Sequence, residues 1–72
     1  MDQEDRGELI SQLFAVMTSK LEDAAAEAAE GQGRGRDGRK QIERAERIET
    51  AARYIGLLAE ATIAILRSPP CE

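Results

Sequence analysis

The sequence predicts an all-α protein: an antiparallel two-helix hairpin that pairs with further copies into a four-helix bundle or a larger oligomer. Three observations carry that expectation. Apolar residues recur at alternating spacings of three and four in two long blocks. A glycine-rich octapeptide, GQGRGRDG, lies between the blocks. Ala, Glu, Arg, Leu and Ile dominate, with one Phe, one Tyr and no Trp, and no stretch alternates as a strand would.

The first helix is expected over about residues 3–30. Asp2 suits its N-cap, with Glu4 and Asp5 in the first turn, where the helix dipole favours negative charge. Ile10, Phe14, Met17, Leu21, Ala24 and Ala28 form a seam with heptad spacing. Leu9, Leu13 and Val16 widen the apolar surface in the N-terminal half. Through AAAEAAE the seam shrinks to alanine, which lets another helix come close but drives little burial.

Gly31 is the expected terminator, since glycine is the usual residue just beyond a helix C-terminus. A loop over 31–38 follows, with Asp37 as the N-cap of a second helix over about 39–67. Pro69 and Pro70 forbid its continuation, leaving a tail over 68–72. The second seam reads Ile48, Ala51, Ile55, Leu58, Thr62 and Ile65. Gly56 in mid-helix costs roughly 1 kcal/mol relative to alanine, so a packing reason is expected; with Ala52 one turn away it makes a small groove. Two helices of similar length joined by a short glycine loop fold back antiparallel.

The stretch from Ile48 to Leu66 is apolar almost all round: between Tyr54 and Leu66 only Glu60 and Thr62 are clearly polar. A surface helix of a monomer carries one apolar stripe and a polar back. Burial on more than one side points to self-association or a protein partner. The residues marked for such an interface are Leu9, Leu13, Phe14, Met17, Tyr54, Ile55, Gly56, Leu57, Leu58 and Ile63. The run is shorter than the roughly 20 residues of a membrane span, so no membrane insertion is expected. The start, MDQEDRGE, is acidic and unlike a secretory leader; the expected location is the cytoplasm.

A chain of 72 residues makes one small domain, and domains of this size lean on a staple, a metal or a partner subunit. One cysteine and no histidine exclude an internal disulfide and the common zinc sites. No cofactor or metal is expected. Cys71, beyond the prolines, reads as a tail thiol. No nucleophile–base pair is present, and the glycine-rich loop lacks the lysine and hydroxyl of a phosphate-cradling GxxxxGK[ST] motif. Pairs such as Asp23 and Glu27 read as a solvated helix face. The chain is expected not to be an enzyme.

The net charge of −4 conceals a segregation. Residues 1–30 hold eight acids and two bases; residues 31–54 hold seven bases and four acids. In an antiparallel hairpin Glu22, Asp23, Glu27 and Glu30 come near Arg39, Lys40, Arg44 and Arg47. Each block sits at the unfavourable end of its own helix dipole, and pairing across the hairpin offsets that. Within the second helix Glu43–Arg47 and Glu49–Arg53 are well-oriented pairs. The bases least accounted for are Arg34 and Arg36; with Arg39 and Lys40 they are the candidates for contact with a nucleic-acid backbone.

The segment GRKQIERAERIETAARYIGLLAEA, a third of the chain, resembles the Arg/Glu/Ala-rich oligomerisation hairpins of small terminase subunits of phage and gene-transfer-agent type. That resemblance implies an oligomeric DNA-recognition component working beside a packaging motor. This chain has no room for the helix-turn-helix domain those proteins also carry. In shape the chain is also similar to the helical-hairpin co-chaperones of type III secretion. The corresponding reading is a protein-binding module, a regulator, inhibitor or co-chaperone, that meets a partner's helices without nucleic acid. Both readings stay open at the level of sequence.

Overall fold

The computed structural model describes residues 2–33 and 37–68. Helix α1 spans Gln3–Gly31 and helix α2 spans Gly38–Arg67. They pack antiparallel along their length into a rod of 58 × 15 × 11 Å. Arg34, Arg36, Pro69, Pro70 and Cys71 lie outside the described residues.

Both N-caps are the expected aspartates. The Asp2 carboxylate accepts from the Asp5 N–H at 2.8 Å, and the Asp37 carboxylate accepts from the Arg39 N–H at 2.9 Å. Each satisfies one amide that the helix itself leaves without a partner. The C-terminus of α1 differs from expectation. Gly31 belongs to the helix, and the cap is Gln32 in right-handed backbone (φ −77°); its N–H donates to the Ala29 carbonyl at 3.2 Å, and the Gly33 N–H to the Glu30 carbonyl at 3.4 Å. The glycine therefore supplies no left-handed turn. Its value is space: a Cβ there would stand 3.2 Å from Cδ of Arg44.

The inward seam of α2 follows the expected residues. Ile48, Ala51, Ile55, Leu58, Thr62 and Ile65 are buried or half-buried, and the row extends back through Arg44 and Gln41. The seam of α1 is rotated from the expected one. Its shielded residues are Arg6, Ile10, Leu13, Met17, Lys20, Ala24, Glu27 and Gly31, with Leu9 beside them. Ile10, Met17 and Ala24 are shared with the expected seam; Phe14, Leu21 and Ala28 face outward. The physical reason is that α1 carries two adjacent apolar rows, and α2 covers only one. Lys20 and Glu27 fit the seam because their aliphatic stems lie along it while their charged heads reach its edge.

One register holds from end to end. Arg6 meets Ser68, Lys20 meets Tyr54, and Glu27 meets Arg47. Each step forward along α1 is matched by an equal step back along α2, so the helices do not slip.

The core is thin. Among the described residues only Met17, at 7% exposure, and Thr62, at 3%, are buried. The Thr62 hydroxyl donates to the Leu58 carbonyl at 2.8 Å, so its burial leaves no unpaired polar group. The accessible surface is 5715 Å². A compact monomer of 7.9 kDa exposes about 4,400 Å², so the hairpin carries about 1,300 Å² in excess.

Candidate interaction surface

The loop end of the rod is held by polar contacts centred on Glu27. Arg44 Nη1 donates to its Oε1 at 3.1 Å, and Arg47 Nε donates to its Oε2 at 2.7 Å. The hydrogen bond from Arg47 holds the Glu27 carboxyl below its ordinary value; partial burial opposes this, and the charges of Arg47 and Arg44 reinforce it. Reciprocally, Glu27 raises the guanidinium of Arg47. Gln41 completes the cluster: its Nε2 donates to the Gly31 carbonyl at 2.7 Å, and its Oε1 accepts from Arg44 Nε at 3.2 Å. A side chain of α2 thus satisfies a terminal carbonyl of α1.

The pairing expected between the two charge blocks is therefore present, with Glu27 bridging Arg44 and Arg47. Arg47, for which the sequence offered both Glu27 across the hairpin and Glu43 on its own helix, bonds Glu27. The expected Glu49–Arg53 pair forms at 3.4 Å, with both side chains largely in solvent. Arg39 and Lys40 lie exposed in the first turn of α2, and their side chains have no partner among the described residues.

Around the seam the rod has two unlike broad faces. On one, Lys20 Nζ sits 4.3 Å from the centre of the Tyr54 ring, a cation–π contact. An open groove there is lined by Lys20, Glu43, Glu46, Arg47, Thr50, Ala51 and Tyr54. Leu57, 64% exposed, follows Glu43 and Thr50 at seven-residue intervals, so it continues this face, which mixes charged and apolar groups.

The opposite face is marked at its ends by two further grooves. One is lined by Gly7, Ile10 and Leu66 among others, the second by Ala28, Ala45 and Ile48. Steps of seven residues connect those ends. On α1 the row is Gly7, Phe14, Leu21 and Ala28; on α2 it is Ala45, Ala52, Ala59 and Leu66. A second row farther out adds Ser11, Thr18 and Ala25 on α1, and Ile42, Gly56 and Ile63 on α2. The charged groups on this side are Glu4 at the tip, Arg6, Glu27 and Arg44 at the groove ends, and Glu49, which pairs with Arg53. Phe14, Leu21, Ile42 and Leu66 are each more than half exposed, and Ile63 nearly so.

The interface residues marked from sequence divide between these surfaces. Met17, Ile55, Leu58, Leu13 and Leu9 lie in or beside the seam between α1 and α2, so the hairpin itself occupies them in part or whole. Phe14, Gly56 and Ile63 belong to the uncharged face. Tyr54 and Leu57 belong to the mixed face. Nothing of α1 approaches within 4 Å of a Cβ placed on Gly56, so the packing reason expected for that glycine does not lie inside the hairpin.

Contacts absent from the sequence reading are those that depend on register. They are the Arg6 cap on the end of α2, the Gln41 cap on the end of α1, and the Lys20–Tyr54 stack. The usable signal was that Arg6, Lys20 and Glu27 share the three-and-four spacing of Ile10, Leu13 and Met17, which places them on one stripe.

Among the described residues no group of His, Cys, Asp and Glu is arranged to hold a metal ion. Among the same residues no helix is long and apolar enough to cross a membrane. Comparison with protein-family models, with curated proteins and with solved structures finds no match to this chain.

Proposed function

We propose that this chain is a non-enzymatic assembly or adaptor module, a rigid helical rod that associates with itself and presents helices to be packed against. The observation that carries the reading is the exposure of large apolar side chains on both broad faces: Phe14 at 53%, Leu21 at 55%, Leu57 at 64% and Leu66 at 54%. Single exposed leucines are common on monomers, but rows of them rimmed by charge mark interfaces. The mean core of the hairpin is too thin to account for so much apolar sequence. Light scattering at low and high micromolar concentration tests the reading. Particles heavier than one 7.9 kDa chain are expected; monomer mass at high micromolar concentration ends the self-association reading and leaves these rows to a different protein.

A second reading, contact with the phosphate backbone of DNA, is favoured by Arg39 and Lys40, whose heads are exposed while Arg44 and Arg47 are tied to Glu27. The resemblance of residues 38–61 to small terminase hairpins points the same way. Several copies would place several such clusters on one particle and add avidity. A titration of double-stranded DNA followed by anisotropy, at low and moderate salt, tests it. Binding that falls steeply with salt and is lost on replacing Arg34, Arg36 and Arg39 by alanine is expected. Absence of binding at low salt retires it.

A further inference from the structure

The uncharged face has a size pattern that selects one way of covering it. Gly7 and Leu66 line one groove, Ala28 and Ala45 another. Seven-residue steps inward from those ends set Phe14 level with Ala59 and Leu21 level with Ala52. At three of the four levels a bulky side chain on one helix is matched by a small one on the other.

We infer that a second copy of the chain docks on this face about a two-fold axis parallel to the helices, with both loops at the same end. This rests on the self-association proposed above. About such an axis, α1 of each copy lies over α2 of the other. Phe14 and Leu21 then stand over Ala59 and Ala52 of the second copy, and Leu66 stands over Gly7. Gly56, one turn from both Ala52 and Ala59, deepens the groove that receives the two bulky residues. Large side chains opposite small ones interdigitate and leave no voids. A two-fold axis perpendicular to the helices stacks Phe14 on Leu21 and Ala52 on Ala59 instead, crowding one side and leaving the other hollow. Both axes leave every neighbouring helix pair antiparallel, so side-chain size and not the helix dipoles chooses between them.

Charge and area agree with this occupant. Glu27 and Arg44 edge the groove of Ala28 and Ala45, but they are paired with each other, and Arg47 on the mixed face also holds Glu27, so the two loop ends meet with their nearest charges already paired. A broad face of a rod 58 × 15 Å across is about as large as the roughly 800 Å² that each partner buries in a standard stable interface.

The test combines mass with a distance. In the full chain carrying Cys71→Ser, Lys40→Cys is spin-labelled near the loop, and the distance between labels is read by pulsed electron resonance. The expected result is a dimer with a distance below about 30 Å, a bundle's width plus two label arms. A dimer with a distance of about 45 Å or more, the axial separation when loops lie at opposite ends, overturns the inference while self-association stands. Monomer mass overturns both. As an independent check of the face, Ala52→Glu is expected to weaken dimerisation at least tenfold with helicity kept, and Thr50→Glu, on the mixed face, to leave it within about twofold. The reverse pattern places the second copy on the mixed face and overturns the inference.

Discussion

Arg6, in the first turns of α1, donates from Nη2 to the backbone carbonyls of Ile65 and Ser68 at the end of α2, the latter at 3.1 Å. The last carbonyls of a helix have no partners of their own and carry its partial negative charge, so a guanidinium there answers both needs. At the other end of the rod Gln41 does the same for the Gly31 carbonyl. The hairpin is closed at both ends by a side chain of one helix capping the other.

Replacing Arg6 by alanine removes the first of these closures. Charge-assisted hydrogen bonds of this kind contribute about 1.5–3 kcal/mol, and exposure on the Ser68 side puts the expected loss near the lower figure. Thermal unfolding monitored by circular dichroism reads it as a midpoint lowered by roughly 5–10 °C. Arg6→Lys restores only part, because one ammonium replaces a planar fork.

Glu27 makes the fold sensitive to acid. Its folded-state carboxyl is held below the ordinary 4.5, chiefly by the Arg47 hydrogen bond. A group with a depressed pKa contributes stability that is present above the unfolded value and lost as pH falls through the folded one. The advantage of the native chain over Glu27→Gln is therefore expected to be full above about pH 5 and to vanish below the folded-state pKa. Denaturant midpoints of both chains across that range check it; a difference independent of pH contradicts the role given to the Arg47 contact.

The two buried residues respond oppositely. Met17→Ala opens a cavity at the centre of a thin core, and the expected loss is about 2–3 kcal/mol, enough to unfold much of so small a domain. Thr62→Val keeps the shape and replaces a hydroxyl whose acceptor, the Leu58 carbonyl, has its own helical partner. A gain of up to about 1 kcal/mol is expected. Urea unfolding of both variants measures the contrast.

Gly56→Ala separates the lone hairpin from the assembled one. In the hairpin alone an added methyl meets nothing within 4 Å, and helix propensity favours alanine by roughly 1 kcal/mol. In the docked pair the same methyl fills the groove that receives Phe14 and Leu21. Dimerisation weakened at least threefold, alongside unchanged or higher helicity at dilutions where the chain is monomeric, is the expected outcome by sedimentation and circular dichroism.

Much of this architecture was legible in the sequence because it depends on local rules. Asp2 and Asp37 announce helix starts by residue type alone, and the seam of α2 follows from spacing because its far stripe (Glu46, Arg53, Glu60, Arg67) is polar at every seventh residue. The seam of α1 was misplaced by one row. Leu13 and Phe14 are equally apolar neighbours, and only the approach of α2 decides which turns inward. Gly31 was misassigned for a similar reason: the demand on it comes from Arg44, a residue across the hairpin. At the candidate surface the apolar rows were visible but their sorting into two faces was not, since the faces exist only once the register is set. Arg34 and Arg36 stand outside the described residues, and their role rests on sequence alone.

The central claim is that the hairpin's apolar surface is completed by association, and the dependence of its unfolding midpoint on protein concentration tests that most directly. A protein stabilised by a partner copy unfolds at a temperature that rises with concentration, by mass action. Between about 1 and 100 μM the midpoint is expected to climb by several degrees. A midpoint that stays constant over that range, with helicity intact at the lowest concentration, would show that the lone hairpin is sufficient and contradict the account.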